Sequence, residues 1–197
     1  MNQILRSFID KFVLIYLNDI LIYSNSAEKH RKHLRLILEA LRAAKLFAKP
    51  KKCTFDQPEV EFCGHIVGNG MVKVLDKKVQ VIRDWPRPRN VHEVRQFYGL
   101  ANYYRRFIKG FGSIGAPLSD LFKEHDSQSI ESKHTHAHRF RPIVWNTACQ
   151  LAFERLKNAL TNAPVLHQPD STKPYFIETD TSDFAIDYAL MQIENDR

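Results

Sequence analysis

The amino-acid sequence predicts an α+β fold, because it contains both short strand-forming runs and longer amphipathic stretches. Residues 12–23 hold two apolar runs rich in β-branched and aromatic residues around a polar turn, which is typical of a β-hairpin. Capping-box patterns at residues 25–28, 90–93 and 147–150 mark the starts of helices. The chain has 197 residues and is 44% hydrophobic, which is enough for one ordinary core or for two small ones.

The first third of the chain is predicted to form a hairpin, a helix and two more strands. Leu17-Asn18-Asp19 makes the tip of the hairpin, since Asn and Asp tolerate turn geometry. The helix begins at residues 25–28 and runs to about Lys45, with an apolar stripe on one side. That stripe consists of Leu34, Ile37, Leu38 and Leu41. The segments "KKCTF" and "VEFCGHIVG" then predict short strands joined by a turn at residues 56–58.

The middle of the chain is predicted to be helical. Asp76 can cap a short helix that ends near Trp85, where "WPRPR" breaks it because proline disfavours helix at the preceding residue. The capping box at residues 90–93 opens a second helix that continues to about Lys109. A third short helix is expected over residues 116–123.

The last third begins with a change of character. Residues 125–142, "HDSQSIESKHTHAHRFRP", are polar and rich in Ser and His, and they predict a linker or an insertion. The capping box at residues 147–150 opens a helix to about Thr161. The segment "KPYFIETDTSDFAIDYALMQ" predicts a strand, an acidic turn and a second strand.

Charge is unevenly distributed along this basic chain. The net charge is +7 and the sequence pI is about 9.3, an excess that favours polyanionic partners but is moderate. Only Glu28 and Glu39 oppose the basic residues of the segment 28–52, whereas acidic residues dominate from Asp170 onward. This asymmetry predicts two modules with different roles. The basic residues are Lys29, Arg31, Lys32, Arg35, Arg42, Lys45, Lys49, Lys51 and Lys52.

The cysteines and the apolar segments indicate an intracellular protein without a membrane partner. The chain has an odd number of cysteines, and their spacing does not match a metal site. This pattern is typical of reduced thiols inside the cell. The cysteines are Cys53, Cys63 and Cys149. The longest apolar stretch is interrupted at residues 18–19 and is too short to span a bilayer. Cytoplasm and nucleus are not distinguished by the sequence.

The hairpin tip is the first candidate for chemistry. Nucleotidyl transfer uses divalent cations, and Mg²⁺ takes hard oxygen ligands such as carboxylates. A rigid hairpin tip carrying Asn18 and Asp19 can present such oxygens. From the residues alone, a plain polar turn is the favoured alternative.

Several motifs in order resemble the reverse transcriptase of gypsy-type LTR retrotransposons, from the middle of the palm into the RNase H region. They are "YLNDILIYS", "VEFCGHIV", "KVQVIRDWPRPRNVHEVRQFYGLANYYRRFIKGF", "APLSDLF", "AFERLKNALTNAPVL" and "FIETDTSDFAI". The resemblance implies a domain order, with a truncated last domain. The domains are the C-terminal part of the palm (1–75), the thumb (76–124), a linker or insertion (125–145) and the start of a connection or RNase H-like domain (146–197).

By this resemblance, residues 16–19 occupy the Tyr-x-Asp-Asp box that holds catalytic Mg²⁺. Asn18 replaces the first aspartate, and its amide oxygen brings no negative charge. Losing one charge at a two-metal site is expected to cost several kcal/mol, on the order of the Coulomb energy of one close charge pair. The third carboxylate of the family's site, on an earlier palm strand, is expected to precede Met1, with the fingers. Tight Mg²⁺ binding is therefore not expected.

Two further segments match nucleic-acid contacts of the family. Residues 62–65 match its Phe-Leu-Gly-His strand, which resembles a primer grip, so Phe62, Gly64 and His65 are candidate contacts; a glycine bulge is the alternative. The second segment matches the thumb and offers phosphate contacts and stacking rings, with a solvated basic face as the alternative. Its candidates are Arg95, Tyr103, Tyr104, Arg105, Arg106 and Lys109, and the first hairpin adds Tyr16.

Two other groups of residues are candidate metal ligands. Asp180 resembles the first metal carboxylate of RNase H, close to Glu178 and Asp183, but the expected truncation leaves that site incomplete. Asp187 stands where the family often has glycine, which weakens the expectation of a normal hairpin there. Alternating histidines at 134, 136 and 138 could share one face of a strand, although the segment has no strand pattern.

Three functions are compatible with the sequence. The favoured one is a retrotransposon-derived fragment that is catalytically inactive by itself and binds a DNA or RNA–DNA primer–template duplex through its backbone. The first alternative is a co-opted protein-interaction module, with self-association or a protein partner at surfaces bared by truncation. The second is an RNA-directed DNA polymerase with RNase H that is active only within a longer or assembled Pol protein.

Overall fold

The structure is a computed structural model, and it describes residues 1–127, 142–170, 172–181 and 186–193. The chain divides into two compact units, Met1–Asn69 and Gly70–Arg197. Helices and short antiparallel strand pairs make up both units, so the predicted α+β class is confirmed. The His-rich stretch of the predicted linker, including the histidines at 134, 136 and 138, lies outside the described residues.

The first unit opens with the predicted hairpin. Strands β1 (Val13–Tyr16) and β2 (Asp19–Ile22) pair antiparallel, with Val13 opposite Ile22 and Tyr16 opposite Asp19. Residues 17–18 therefore form a two-residue turn, and Asp19 is already the first residue of β2. The apolar runs on both sides of the polar pair are long enough to complete this short ladder, which is why the sequence predicted it correctly.

Helix α1 (Ala27–Ala43) packs its apolar stripe against this hairpin. Ile37 and Leu41 are buried together with Val13 of β1 and Leu5 of the N-terminal segment. The N-cap is Ser26 rather than Asn25, because the Ser26 hydroxyl accepts a hydrogen bond from the backbone N–H of residue 29 at 3.3 Å. The capping-box prediction was therefore one residue too early.

A second hairpin follows in the same unit. Strands β3 (Glu59–Phe62) and β4 (His65–Gly68) pair antiparallel around the two-residue turn Cys63-Gly64. The predicted strand "KKCTF" is wrong, because Pro50–Lys52 forms one turn of 3-10 helix. Proline fixes φ near the helical value and has no N–H to give to a strand partner, so the chain turns at this point.

The described residues of the second unit form four α-helices and four short strands. Their order along the chain is β5 (Met71–Val74), α2 (Asp76–Arg83), α3 (Val91–Tyr103), α4 (Phe111–Ser127), α5 (Thr147–Thr161), β6 (Leu166–His167), β7 (Phe176–Thr181) and β8 (Ile186–Met191). Strand β5 pairs antiparallel with β6, and β7 pairs antiparallel with β8. The two strands predicted near the C-terminal end are thus present and paired, while residues 182–185 between them lie outside the described residues.

Helix α3 begins as the sequence predicted. Asn90 is its N-cap and accepts a hydrogen bond from the Glu93 N–H at 2.9 Å, while the Glu93 carboxylate accepts one from the Arg89 N–H at 2.7 Å. The helix ends at Tyr103 rather than near Lys109. One turn of 3-10 helix (Arg105–Phe107) follows, because Phe107 enters the core and redirects the chain.

Helices α4 and α5 also differ at their starts from the predicted positions. Helix α4 begins at Phe111, five residues before the expected start, because Phe111 is buried and anchors the first turn. Helix α5 is capped by Asn146 rather than Thr147, since the Asn146 side chain accepts from the Cys149 N–H at 2.9 Å. The predicted helices exist, and packing sets their first residues.

One hydrophobic core holds the second unit together. Phe97 of α3 and Phe153 of α5 lie with ring centroids 4.6 Å apart, and Trp85 and Trp145 pack against them. The core thus joins helices of the predicted thumb to the helix of the predicted C-terminal module. The domain boundaries at residues 75, 124 and 145 stay predictions. In the described part of the chain, no helix is long and apolar enough to cross a bilayer.

Candidate functional site

The tip of the first hairpin is presented to solvent. Tyr16 is 57% exposed, Leu17 is 77% exposed, and Asn18 and Asp19 are also exposed. Leu17 has φ +53°, a left-handed conformation that costs a residue with a Cβ roughly 1–2 kcal/mol. Because this strained turn keeps Asn18 and Asp19 at the surface, their side-chain oxygens are available to a ligand.

The tip of the second hairpin holds the residues predicted as a primer grip. Cys63 and Gly64 have φ +48° and +71°, so both central residues of this tight turn are left-handed, as primed hairpin turns require. Phe62, Gly64 and His65 are half-buried. Nδ1 of His65 lies 2.8 Å from the carbonyl oxygen of Cys63, and the ring N–H donates across the turn in the tautomer that protonates Nδ1.

The charge at the first hairpin tip acts on a side chain at the second tip. Burial raises the pKa of the Cys63 thiol, and the negative charge of Asp19 raises it further. A charge effect of this kind falls off with distance, and it links the predicted catalytic box electrostatically to the predicted grip. No sequence pattern marked Cys63 for this role, because the electrostatic effect joins segments that are distant along the chain.

The donor set at this site fits a magnesium ion incompletely. Asp19 offers a carboxylate and Asn18 offers an amide oxygen, both hard ligands of the type Mg²⁺ takes. Within the described residues, no group of three or more His, Cys, Asp or Glu side chains is placed to hold a metal. One carboxylate can support weak binding of a single cation better than the bridging of two.

The predicted thumb contacts divide into core and surface residues. Around the 3-10 turn, Tyr104, Phe107 and Ile108 are buried, whereas Arg105 and Arg106 are exposed. Tyr104 is 1% exposed, so its ring belongs to the core and is not offered to a ligand, in contrast to the assignment from the sequence. Its neighbour Tyr103 is 51% exposed, so its ring is accessible for stacking on a ligand.

Two basic candidates of this region have partners inside the molecule. The Lys109 ammonium donates to the Glu178 carboxylate at 2.7 Å, and the Arg95 guanidinium lies 5.6 Å from the ring centroid of Phe122. By contrast, no ion pair involves Arg105 or Arg106 within the described parts of the chain. These two arginines therefore keep their donors for an external anion more fully than Arg95 and Lys109 do.

The candidate RNase H carboxylate sits on the C-terminal hairpin. Asp180 belongs to β7, and its backbone pairs with that of Asp187 in β8. The strand pair therefore forms with Asp at position 187. Asp183 lies outside the described residues. Asp180 belongs to the second unit and Asp19 to the first.

Two family models match the chain. Residues 1–67 match "Reverse transcriptase (RNA-dependent DNA polymerase)", and residues 145–197 match "RNase H-like domain found in reverse transcriptase". The first match contains both hairpin tips, and the second contains α5 and the C-terminal hairpin.

Curated relatives match nearly the whole chain. The Pol polyprotein from transposon gypsy of Drosophila melanogaster is 34% identical over 193 residues, and that from transposon opus is 33% identical over 196. The Tf2-3 polyprotein of Schizosaccharomyces pombe is 32% identical over 195 residues. The chain spans only 18%, 19% and 14% of the length of these three relatives.

Solved structures share the fold. A foamy viral protease-reverse transcriptase in complex with double-stranded DNA aligns with a TM-score of 0.79 over 97% of this chain and 31% of its own, at 21% identity. The same foamy viral protein with an RNA/DNA hybrid gives a TM-score of 0.75 over 98% of this chain and 26% of its own, also at 21% identity. With both family models and the curated relatives agreeing, the chain belongs to the reverse transcriptases of gypsy-type retrotransposon Pol polyproteins.

Proposed function

We propose that this chain binds a primer–template duplex, of DNA or of RNA and DNA, through the phosphate backbone. The observation that carries the proposal is the 3-10 turn after α3. Its apolar residues are buried, and the same turn presents Arg105 and Arg106 to solvent beside the half-exposed ring of Tyr103. Rigid packing beneath two exposed arginines fixes their positions, which suits contacts to phosphates.

The fold supports the same proposal. The foamy viral structures with TM-scores of 0.79 and 0.75 are described as complexes with double-stranded DNA and with an RNA/DNA hybrid. A basic chain with a net charge of +7 has the right sign for such a polyanion. We propose that backbone contacts dominate, so that sequence preference is small.

We further propose that the polymerase box of this chain is a weak magnesium site. Asp19 would bind the cation through its carboxylate, and Asn18 would add a neutral oxygen. Mg²⁺ bound at such a tip supplies charge stabilisation for nucleotidyl transfer. A missing carboxylate 4 Å from a cation removes on the order of 4 kcal/mol per unit charge at an effective dielectric near 20. We therefore expect no templated nucleotide incorporation by this chain alone.

Salt dependence of duplex binding tests the main proposal. A fluorescently labelled blunt duplex is titrated with the chain between about 50 mM and 200 mM salt, and affinity is expected to fall steeply. The double variant Arg105→Gln/Arg106→Gln is expected to weaken binding and to reduce the slope of log affinity against log salt by about 2. Arg83→Gln, an exposed arginine of α2, is the matched control. Absence of binding at the lowest salt, or equal slopes, would overturn the proposal.

Primer extension tests the catalytic part. The purified chain is incubated with a primer–template, nucleotides and Mg²⁺, and no extension is expected. Template-dependent incorporation would contradict this expectation and favour the alternative of a functional polymerase. Extension that occurs only when the chain is part of a longer or assembled Pol protein would favour a polymerase that is active in that assembly. The expectation that this chain alone does not extend primers would then still hold.

A protein-interaction module is the second candidate, because one face of the C-terminal hairpin is bare. Ile177 of β7 is 69% exposed, and Ile186, Tyr188 and Leu190 of β8 are 72%, 78% and 61% exposed. The strand register places all four on one side. Large contiguous apolar surfaces of this kind usually bind something. Sedimentation velocity tests it: self-association that Tyr188→Lys abolishes, without any duplex binding by the parent chain, would favour this function.

A further inference from the structure

The loop that joins α1 to β3 carries a concentrated positive charge. Between residues 45 and 55, hereafter the connecting loop, Lys45, Lys49, Lys51 and Lys52 are all exposed. The nearest acidic residues along the chain are Glu39 in α1 and Asp56 beyond the loop. Four lysines therefore stand in a segment with no carboxylate of its own, and their field attracts anions.

The connecting loop also exposes an aromatic ring. Phe47 is 90% exposed, more than any other large apolar side chain in the described part of the chain. Phe55, at the other end of the loop, is 46% exposed. A single exposed apolar residue is ordinary, but a nearly bare ring flanked by lysines is the combination that single-strand-binding proteins use.

Local hydrogen bonds fix the loop backbone on both sides of this ring. Lys45 is left-handed with φ +56°, and the Leu46 N–H donates to the Leu41 carbonyl at 2.9 Å, which ends α1 in a Schellman-type turn. At the 3-10 turn, the Lys52 N–H donates to the Lys49 carbonyl at 2.9 Å, and the Cys53 thiol donates to the same oxygen at 3.2 Å. The exposure of Phe47 is thus a property of an ordered loop.

We infer that the connecting loop binds single-stranded nucleic acid, with Phe47 stacking on a base and Lys49, Lys51 and Lys52 neutralising phosphates. An unpaired strand offers both features at once, a flat aromatic face and a repeating negative charge. A duplex offers the charge but keeps its bases stacked on one another. An acidic peptide also offers the charge, yet it has no need of a flat ring. This site goes beyond the duplex contacts proposed for Arg105 and Arg106, which lie in the other unit.

Fluorescence anisotropy with single-stranded DNA and RNA oligonucleotides of about 12 nucleotides, within the site sizes of such proteins, tests the inference. Phe47→Ala is expected to weaken binding about tenfold, the effect of losing one stacked base. Phe47→Leu, which keeps apolar bulk but has no aromatic face, is expected to lose as much, and Phe47→Trp is expected to retain affinity. Tyr175→Ala, an exposed aromatic outside every proposed binding surface, is the matched control.

A second pair of variants examines the charges. Lys51→Gln/Lys52→Gln is expected to reduce the slope of log affinity against log salt by about 1.4, because single strands release about 0.7 counterion per contact. Lys77→Gln/Lys78→Gln in α2, also exposed, is the matched control. Phe47→Ala is expected to leave blunt-duplex affinity unchanged, because a duplex keeps its bases stacked on one another, whereas Arg105→Gln/Arg106→Gln weakens duplex binding. Failure of one site is thereby distinguishable from failure of the other.

Three results would overturn the inference. The first is equal oligonucleotide affinity of the parent chain and Phe47→Ala. The second is full retention of affinity by Phe47→Leu, which would make the ring a plain apolar contact. The third is self-association of the parent chain that Phe47→Ala abolishes while oligonucleotide binding stays the same, which would assign the ring to an interface between copies.

Discussion

Asp19 at the tip of the first hairpin raises the pKa of the Cys63 thiol at the tip of the second, in addition to the larger effect of burial. This relationship links the residues resembling the polymerase box electrostatically to those resembling the primer grip, and both groups belong to the first unit. It also supplies a chemical probe, because a thiol reacts as its thiolate. The reactivity of Cys63 therefore reports on the charge at the box.

Asp19→Asn is expected to speed the alkylation of Cys63. Removing the carboxylate charge lowers the pKa of the thiol, so a larger fraction is thiolate at any fixed pH below that pKa. The measurement is the rate of iodoacetamide labelling at mildly alkaline pH, resolved for each cysteine by mass spectrometry. Asp10→Asn, another exposed aspartate of the first unit, is the control. An unchanged labelling rate at Cys63 would show that the charge of Asp19 does not act on this thiol.

Mg²⁺ is expected to speed the alkylation of Cys63, because a cation bound to Asp19 offsets the negative charge of the carboxylate. In the parent chain the effect should need high Mg²⁺ concentrations. Asn18→Asp adds a second carboxylate to the hairpin tip. The Mg²⁺ concentration that gives half of the maximal rate increase is expected to fall at least about tenfold, which is equivalent to 1.4 kcal/mol of binding free energy. Asn25→Asp, an exposed Asn outside the tip, is the control. If Asn18→Asp and the parent respond at the same concentration, the tip does not bind the cation.

Asn90→Ala is expected to destabilise the second unit by about 1 kcal/mol, because it removes the side-chain acceptor at the start of α3. Both tryptophans of the chain lie in that unit, so their fluorescence during urea unfolding follows it selectively. Asn102→Ala, an exposed position inside α3, is expected to be neutral or slightly stabilising because alanine is the better helix former. Equal losses for the two variants would show that the cap contributes nothing specific.

Phe153→Ala is expected to cost about 3–5 kcal/mol of unfolding free energy. Its ring is 2% exposed and lies 4.6 Å from that of Phe97 and 5.8 Å from that of Trp145, so truncation leaves a cavity in the centre of the core. Leu151→Ala on the same helix, at a position 54% exposed, should change stability little. The same fluorescence-monitored urea titration measures both. A small loss for Phe153→Ala would show that the core collapses to refill the space.

Local signals in the sequence were sufficient where one segment decides its own structure. The first hairpin formed as predicted because two apolar runs flank residues that tolerate a turn. Helix α3 begins at Asn90 because the capping box satisfies backbone donors within four residues. By contrast, "KKCTF" has strand-like composition, but Pro50 turns the chain and the predicted strand does not form.

Tertiary structure decided which residues of a motif are available. Tyr103 and Tyr104 are adjacent and identical in type, yet one is 51% exposed and the other 1%. Only the packing of the 3-10 turn against the core separates them.

By itself, the sequence determined the α+β class, the family and the presence of an amide rather than a carboxylate at Asn18, since these depend on residue types and their order. The tertiary structure alone decided that the charge of Asp19 acts on the Cys63 thiol and that the Phe47 ring is exposed to solvent. The physical reason is that proximity and burial depend on contacts between distant segments, and such contacts leave no periodic pattern in either segment.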